Sequence, residues 1–271
     1  MKLHIQHIWP EPSADQMIGP AMKAVYDGVR SVVERAVGLD TTIVESFNSR
    51  SAYCSSVASL EAYNAVGLLE GLRGAEGAGC DVAMVACGND PSLQAARSLL
   101  TIPVVGATEA AMLLASSLGG RFGLITFDDP SVALTERNIR ASGLEARAVS
   151  HRPVRSPGFY ENPAVWFNDQ DYLKSTVIPR FEEVARGLIA DGADVIIAAC
   201  GNYAVFPLAG YSMISDSGVP VIDSITAGAL HARSLGNLKR QFGITTSKAT
   251  GPYRGLPTEM TCNFLAPFAQ L

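Results

Sequence analysis

Two stretches of the chain are nearly identical, DVAMVACGND at residues 81–90 and DVIIAACGNY at residues 194–203. Each contains an apolar run and then the sequence Cys-Gly-Asn. An apolar run of this length is typical of a parallel strand that is covered by helices on both faces. The two stretches therefore predict two equivalent strands, each followed by a loop that opens with a cysteine, Cys87 or Cys200.

The similarity extends well beyond the two cysteines. They lie roughly 110 residues apart, which is longer than the repeat of a solenoid protein and fits a duplicated domain. The first copy is followed by TIPVVGATEAA at residues 101–111, and the second by GVPVIDSITAG at residues 218–228. Strand, loop, helix, strand and the start of the next helix recur in the same order, which predicts two similar lobes.

The remaining sequence alternates predicted strands and helices. Short apolar runs predict strands in LHIQHIW, TTIVESF, DVAMVAC, IPVVGA, RFGLITF, DVIIAAC and VPVIDS. Helical spacing predicts helices over residues 13–37, 58–78, 91–100, 108–118, 132–142 and 169–191. This alternation predicts an α/β fold of two pseudosymmetric lobes, each a mostly parallel sheet flanked by helices.

The composition excludes several classes of partner. The 271 residues are 48% hydrophobic and 17% charged, which is ordinary for a globular protein, and the net charge is -5. Lys and Arg are scattered along the chain, so no basic surface for nucleic acid or an anionic membrane is predicted. No apolar run approaches the roughly 18 residues that a membrane span needs. We therefore expect a cytoplasmic homo-oligomer that binds a small molecule, with no nucleic-acid or membrane partner.

The positions of Cys87 and Cys200 favour a chemical role. Ligands of open parallel sheets bind beyond the carboxyl ends of the strands, where both cysteines lie. The free N–H groups at the start of a following helix stabilise a thiolate. We therefore expect the pKa of each thiol to be lowered toward neutrality, which would let the sulfur act as a base.

The residues after each cysteine complete this candidate site. Gly88 and Gly201 allow a ligand to approach the backbone, whose amides can bind a carboxylate or an enolate oxygen. Asn89 and Asn202 add side-chain donors. A cysteine at the end of a buried strand is more often a small apolar packing residue. The same three residues at equivalent positions of two lobes favour function over packing for this pair.

Neither a disulfide nor a metal site is predicted. The five cysteines include no CxxC pair, and Cys54, Cys80 and Cys262 are interpreted as packing residues. His4 and His7 are three residues apart on a predicted strand, so their side chains point to opposite faces. Both are expected to be ordinary strand residues rather than ligands of one metal ion.

On these motifs the chain resembles the aspartate/glutamate racemase superfamily, and within it most closely the hydantoin and allantoin racemase branch. The matching pieces span nearly the whole chain and are ACGNDP, VVGATEAA, FGLIT, DGADVIIAACGN, GVPVID and FGITTSKATGPY. The resemblance implies a cofactor-free enzyme whose two lobes enclose an active-site cleft, with one cysteine on each side. It places residues 1–103 and 224–271 in the lobe of Cys87, and residues 104–223 in the lobe of Cys200.

The resemblance also implies the reaction. A thiolate removes the proton from the carbon next to a carbonyl of a cyclic amide or an amino acid, and a thiol on the opposite face delivers another proton. The two cysteines would share one proton between them. Trp9, Thr126 and Glu109 are expected to bind the substrate together with the glycine and asparagine after each cysteine. The charge of Glu109 also favours the dipole of the helix that it opens.

Departures from the branch leave the substrate and the reaction open. WPEPS at residues 9–13 stands where hydantoin racemases carry an Asn-Pro-Asn-Thr motif, and Gly88 stands where they tend to carry an aromatic residue. The alternative is a hydrolase or lyase that acts on a hydantoin-like ring, for example by desulfuration of a thiohydantoin through a nucleophilic cysteine, or by decarboxylation. A two-lobed binding protein without catalysis is a third alternative, which the duplicated thiols disfavour.

Overall fold

The structure is a computed structural model that describes residues 1–14, 19–51 and 55–255. Within these residues, eight strands form two separate sheets. The first sheet contains β1 (Lys2–Gln6), β2 (Thr42–Ser46), β3 (Val82–Val85) and β4 (Val104–Gly106). The second sheet contains β5 (Phe122–Ile125), β6 (Val154–Arg155), β7 (Val195–Ala198) and β8 (Val221–Asp223).

The two sheets share one topology. The strand order is β2-β1-β3-β4 in the first sheet and β6-β5-β7-β8 in the second, and every neighbouring pair is parallel. The order therefore reverses between β1 and β3 and again between β5 and β7. Such a reversal opens a crevice at the carboxyl ends of the two strands, where parallel sheets bind their ligands. The predicted α/β fold with two similar parallel sheets is confirmed.

Helices connect the strands and cover the sheets. They are α1 (Gly19–Val37), α2 (Ala58–Gly77), α3 (Leu93–Leu99), α4 (Ala107–Leu118), α5 (Pro130–Ser142), α6 (Ala164–Asn168), α7 (Gln170–Tyr172), α8 (Ile178–Ala190), α9 (Val205–Leu208) and α10 (Ser224–Phe242). Short turns of 3-10 helix lie at Pro12–Ala14, Glu145–Arg147 and Gly201–Ala204, and a π-helical turn at Leu173–Val177 joins α7 to α8. Within the described ranges, no helix is long and apolar enough to cross a membrane.

The central strands are buried along their whole length. Every residue of β3 and of β7 is buried, because helices cover both faces of each sheet. Alternate side chains of a strand point to opposite faces, so a strand that is covered on both sides must be apolar throughout. This burial explains why the two repeated stretches show no alternation of polar and apolar residues.

Two helices cross from one sheet to the other. Helix α4 follows β4 of the first sheet but packs on β5 and β7 of the second. Helix α10 follows β8 of the second sheet and packs on β1, β3 and β4 of the first, and the two helices also pack against each other. Each sheet is therefore covered in part by a helix that enters from the last strand of the other.

Several elements differ from the sequence-based expectation. β4 pairs with β3, so Val104–Gly106 belongs to the first sheet, although the expected boundary at residue 103 assigned it to the other lobe. The division into lobes stays a prediction in other respects. β6 and α6 were not predicted, α9 and α10 were indicated only by the repeat, and the helix expected to start at residue 91 begins only at Leu93. Residues 15–18 of the predicted helix 13–37 lie outside the described residues.

Candidate active site

A cavity of about 250 Å³ lies where the carboxyl ends of the two sheets meet. Its lining comes from the residues just after β1, β3, β5 and β7, from one face of α1, and from residues 55–56 and 163. The crevices of both sheets therefore open into one space. The lining residues are His7, Ile8, Trp9, Val25, Tyr26, Val29, Ser55, Ser56, Ala86, Cys87, Gly88, Asn89, Thr126, Phe127, Asp128, Ser131, Pro163, Ala199, Cys200, Gly201 and Asn202.

The two cysteine loops are in direct backbone contact. A Cβ atom on Gly88 would lie 2.5 Å from the carbonyl carbon of Ala199 and 2.7 Å from the Cα of Cys200. A Cβ atom on Gly201 would lie 3.5 Å from the carbonyl oxygen of Ala86, which is ordinary contact. Position 88 therefore has no room for any side chain, and glycine there lets the two cysteine loops meet.

Cys87 is buried beside the contact between the two loops. The Oγ of Ser55 is 4.0 Å from its sulfur, and the backbone N–H of Asn89 donates a hydrogen bond to it. Asn89 is itself held by three neighbours, since its Nδ2 donates to the carbonyl of Ser55, its Oδ1 accepts from Thr135, and its own carbonyl accepts from Asn138. The loop after Cys87 is therefore fixed by hydrogen bonds on both sides.

Cys200 has different surroundings. It is partly buried, and the backbone N–H groups of Gly201 and Asn202 donate to its sulfur. The nearby charges that act on it are those of Cys87 and Asp128, both of which disfavour a thiolate. The two sulfurs interact electrostatically with each other, as expected for two groups that share one cavity.

The expected lowering of the thiol pKa values is wrong. Burial raises the pKa of Cys87 to about 12 and that of Cys200 to about 12, and the backbone hydrogen bonds to the sulfurs offset only part of this effect. Neither sulfur lies at the start of a long helix: α3 begins only at Leu93, and Cys200 is followed by the 3-10 turn and the four residues of α9. The desolvation of the thiolate therefore outweighs the helix dipole.

Asp90 lies in the loop after Cys87 and caps helix α4. Its carboxylate accepts hydrogen bonds from the backbone N–H groups of Thr108 and Glu109 at the start of α4, at 3.0 and 2.7 Å. Thr108 in return donates from Oγ1 to the carbonyl of Gly88 at 2.7 Å. Burial raises the pKa of Asp90 to about 7. These bonds attach the Cys87 loop to the helix that covers the second sheet.

The second copy forms the equivalent cap differently. Asp223 ends β8 and its Oδ1 accepts from the backbone N–H of Thr226, so α10 is capped by the residue that directly precedes it. The first copy has Gly106 at this place, where a Cβ atom would lie 2.7 Å from the Asp90 carboxyl carbon. The Asp90 side chain thus occupies the space that Asp223 fills in the second copy.

A polar wall, consisting of Ser55, Ser56, Asp128 and Ser131, forms one part of the cavity lining. The carboxylate of Asp128 accepts from the Oγ of Ser56 at 2.7 Å and from the backbone N–H of Ser131 at 3.0 Å. Ser131 Oγ also donates to Ser56 Oγ at 3.0 Å. These bonds join the loop after β2 to the loop after β5. Because a carboxylate oxygen accepts more than one hydrogen bond, Asp128 can also bind an N–H group of a ligand.

An aromatic group borders the cavity near the end of β1. His7 lines the cavity, its ring stacks on Phe47 with a centroid distance of 4.8 Å, and its Nε2 lies 3.0 Å from Glu45. Tyr26 contacts the rings of both His7 and Phe47. His7 was expected to be an ordinary strand residue, but β1 ends at Gln6, so His7 lies in the loop that enters the site. His4 stays within β1 and contacts the Oγ of Ser46.

The predicted site residues fall into two groups. Those that line the cavity are Trp9, Cys87, Gly88, Asn89, Thr126, Cys200, Gly201 and Asn202. Glu109 does not line it: its carboxylate pairs with Arg97 and faces a separate cavity that Tyr253 also lines. Cys80 is buried in the core of the first sheet, and Cys54 and Cys262 lie outside the described residues.

Sequence reasoning missed the polar wall and Tyr26. Ser55, Ser56 and Asp128 lie in loops whose sequences are not repeated between the two copies, so the duplication gave no signal for them. Asp128 lies two residues after Thr126, in the loop after β5, which is the strand equivalent to β1, and this position is the signal that could have found it. Among the described residues, no group of three His, Cys, Asp or Glu side chains is arranged to hold a metal ion.

Comparisons with known proteins agree with this arrangement. The family model of Asp/Glu/hydantoin racemases matches residues 18–232. The hydantoin racemase of Pseudomonas sp. (strain NS671) is 28% identical over 228 residues, which cover 83% of this chain and 84% of that protein. The hydantoin racemase of Rhizobium meliloti is 31% identical over 180 residues, which cover 65% of this chain and 68% of that protein.

A solved structure extends the likeness to the fold. The allantoin racemase from Klebsiella pneumoniae superposes with a TM-score of 0.75 at 22% identity, covering 95% of this chain and 94% of that chain. Sequence and fold thus point to the same group of enzymes, in which the two-sheet architecture described above recurs. The chain belongs to the Asp/Glu/hydantoin racemase family and is an enzyme of the isomerase class.

Proposed function

We propose that this protein is a cofactor-independent racemase that acts on a small, hydantoin-like cyclic amide, with Cys87 and Cys200 as its catalytic acid and base. The observation that carries the proposal is the placement of the two cysteines. They follow equivalent strands of two similar sheets, line one cavity of about 250 Å³, and lie on loops that contact each other. Two thiols that line one small space suit a reaction at a single carbon atom.

The proposed reaction consists of two proton transfers. The thiolate of one cysteine takes the proton from the ring carbon next to the carbonyl, and the electron pair of the broken C–H bond moves into an enolate over the adjacent amide. The thiol of the other cysteine then donates its proton to the opposite face of that carbon. The product is the other enantiomer, and the two sulfurs have exchanged their protonation states. The same steps in reverse convert the second enantiomer.

The charges around the cavity favour a neutral substrate. Among the described residues that line it there is no Lys or Arg, and its carboxylate, Asp128, accepts hydrogen bonds from ligand N–H groups. His7 already contacts Glu45. An amino acid with a free carboxylate would meet Asp128 and would have no cationic side chain to pair with. A cyclic amide carries N–H donors and no negative charge, and therefore fits this lining better.

Burial of the sulfurs suits the removal of a proton from carbon. A thiol with its pKa raised to about 12 forms a thiolate that is a stronger base than that of an exposed cysteine. The same burial makes the thiolate scarce at neutral pH, so the rate should rise with pH until one of the two thiols has ionised. Ionisation of both removes the proton donor, and the rate falls again at higher pH.

The experiment follows the hydrogen at the ring carbon in deuterated water. A racemase incorporates deuterium at this carbon while the optical rotation of an enantiomerically pure hydantoin decays, and the molecule keeps its covalent structure. Cys87→Ser and Cys200→Ser should each reduce turnover by at least about 10²-fold, because each removes an acid and a base. Cys80→Ser, in the core of the first sheet, is the matched control and should retain turnover.

Two results would contradict the proposal. Wild-type turnover in either cysteine variant would show that the replaced sulfur is a packing group and takes no part in the reaction. A product of different mass, or released sulfide from a thiohydantoin, would instead identify a hydrolase or lyase in the same cavity. Homo-oligomeric assembly and a cytoplasmic location stay predictions, and size-exclusion chromatography with light scattering tests the assembly.

A further inference from the structure

A second cavity lies beside the loop that follows Cys87. Its volume is about 550 Å³, which is larger than that of the candidate active site. It lies between α2, which packs on the first sheet, and α5, which packs on the second, and the start of α3 and Tyr253 complete its lining. The proposed proton transfers use none of its residues, so this space between the two sheets needs another explanation.

Three continuous segments of the chain connect the two cavities. Residues 55–56 line the candidate active site, and α2, which follows them, lines the second cavity. The loop after β3 contributes residues 87–89 to the first cavity and Asp90 to the second. Helix α5 contributes Ser131 to the first and Arg137 to the second. A ligand in the second cavity would therefore contact the same segments that form the polar wall and hold Cys87.

The second cavity concentrates charged side chains of both signs. Two ion pairs line it, Arg97 with Glu109 and Arg137 with Glu61. The side chains of Glu61, Arg97 and Glu109 are only 12%, 14% and 20% exposed. Desolvation offsets most of the attraction within a buried ion pair, so stability is a poor explanation for two of them at one cavity. Charged groups withheld from water beside a cavity are typical of a ligand site.

The balance of these charges indicates a ligand that carries both signs. The lining contains two guanidinium groups and two glutamate carboxylates, so a purely anionic or purely cationic ligand would meet repulsion as well as attraction. A zwitterion can place its carboxylate against a guanidinium and its ammonium group against a carboxylate. The rest of the lining includes five alanines and Leu93, which leave space for an apolar side chain of the ligand.

Arg137 is placed to bind the carboxylate of such a ligand. Its two terminal nitrogens donate to Glu61 at 3.0 and 2.6 Å, and these bonds use two of the five N–H groups of a guanidinium. The side chain is 47% exposed, so a ligand can reach the other N–H groups. Arg97, by contrast, already donates to Glu109, to Tyr253 and to a backbone carbonyl.

Asp90 and Glu109 are placed to bind the ammonium group. The backbone N–H of Glu109 donates to the Asp90 carboxylate at 2.7 Å, and both side chains line the second cavity. Burial, together with the negative charge of Glu109, raises the pKa of Asp90 to about 7. An ammonium group beside the two carboxylates would offset their repulsion. Because Asp90 directly follows Asn89, a ligand held there contacts the Cys87 loop itself.

We propose that the second cavity binds a free α-amino acid, with its carboxylate at Arg137 and its ammonium group beside Asp90 and Glu109, and that this ligand strengthens the contact between the two cysteine loops. The ligand bridges α5 on the second sheet and the loop that follows β3 of the first. Such a bridge favours the arrangement in which the cysteine loops meet, which the reaction requires. Only this effect on the rate rests on the racemase function proposed above.

The first test uses racemic leucine and isothermal titration calorimetry, which does not depend on activity. We expect leucine to bind with a Kd of about 1 mM or below. N-acetylleucine lacks the ammonium group and leucinamide lacks the carboxylate, so each should bind at least about tenfold more weakly than leucine. Equal binding of the three compounds would contradict a site for a zwitterion.

Arg137→Gln tests the position of the ligand and should weaken leucine binding at least about tenfold. Arg186→Gln is the matched control, because Arg186 is similarly exposed and pairs with the buried carboxylate of Glu182 but lines neither cavity. Its affinity for leucine should stay at the wild-type value. Thermal denaturation shows whether each variant has folded. Arg137→Lys keeps a charge beside Glu61 but lacks the planar fork, and carries the test if Arg137→Gln does not fold.

The second test measures deuterium exchange of a hydantoin with and without saturating leucine. We expect leucine to raise kcat/KM about fivefold in the wild-type protein and in Arg186→Gln, and to have no effect in Arg137→Gln. If Arg137→Gln binds leucine as tightly as the wild-type protein, the second cavity is not the amino-acid site. If leucine binds there without raising kcat/KM, it does not act on the cysteine loops. If the protein exchanges no hydantoin at all, the racemase function is wrong, and calorimetry alone still tests the site.

Discussion

The contact between the two cysteine loops can be tested with one methyl group. In Gly88→Ala the new Cβ would lie 2.5 Å from the carbonyl carbon of Ala199 and 2.7 Å from the Cα of Cys200. Both are backbone atoms of the opposite loop, so no side chain can rotate away. The nearest atom would be the carbonyl oxygen of Ala199, only 2.2 Å away, so the loops must separate by about 1 Å to restore ordinary contact. We expect an overpacking cost of about 1–3 kcal/mol in the free energy of unfolding.

The same separation should affect the reaction. A displacement of about 1 Å between reacting groups can reduce a rate about 10²-fold, and Gly88→Ala moves the two sulfurs apart by nearly this distance. Deuterium exchange at the ring carbon measures the rate, and thermal denaturation should show a Tm lower by about 5 °C. Gly88 does not have a positive φ, so backbone strain does not contribute to this cost.

Gly201→Ala is the matched control for this prediction. It adds the same methyl group at the equivalent position of the other loop, where the nearest atoms would be 3.5 Å away on Ala86 and 3.8 Å away on Ile225. We expect nearly wild-type stability and a rate within about threefold of wild type, since ordinary contact costs little. If the two variants show equal rates and equal Tm values, the loops do not meet as described.

Three further predictions concern individual groups. For a pKa near 12 the thiolate fraction at pH 8 is about 10⁻⁴, so iodoacetamide should alkylate Cys87 and Cys200 about 10³-fold more slowly than a free cysteine. The alkylation rate, measured by peptide mass mapping, should rise about tenfold per pH unit up to pH 10. A plateau of this rate below pH 9 would contradict the raised pKa values. Burial raises the pKa of Asp90 from 3.8 to about 7, so the folded state favours the protonated form, and the free energy of unfolding should fall as pH rises from 4 to 7. Denaturant titrations should show that Asp90→Asn removes this slope, whereas an unchanged slope would assign it to other groups. Asp223→Ala should lower the free energy of unfolding by about 1 kcal/mol because α10 loses its cap, and Asp223→Asn should cost less; equal Tm values for the two variants would argue against a capping role.

The strands were predictable from sequence because burial alone determines their pattern. β3 and β7 are apolar throughout, and β4 and β8 follow them in the same order in the repeat. β6 was missed because Val154–Arg155 is too short to show any periodicity. The helices α4 and α10 lie where the repeat indicates, but sequence gives no sign that each one packs on the other sheet.

The parts of the site that belong to the sequence repeat were predictable. The parts that depend on contacts between residues distant in sequence were not. The Cys-Gly-Asn sequences identified both loops, and the departure at Trp9 identified a further lining residue. The protonation of the sulfurs could not be predicted, because their burial depends on how closely the two lobes approach. The capping role of Asp90 could not be predicted for a related reason: its partners, Thr108 and Glu109, become neighbours only after β3 and β4 have paired.

The exchange of α4 and α10 between the sheets has a consequence for how such a molecule could have arisen. A chain of half this length, ending after the helix that follows its fourth strand, would carry one sheet and a helix with no surface of its own to cover. Two identical copies of that chain would complete each other about a twofold axis, and each would contribute one cysteine to a shared space. A symmetric dimer of this kind would already possess both reactive groups before any gene fusion joined the halves.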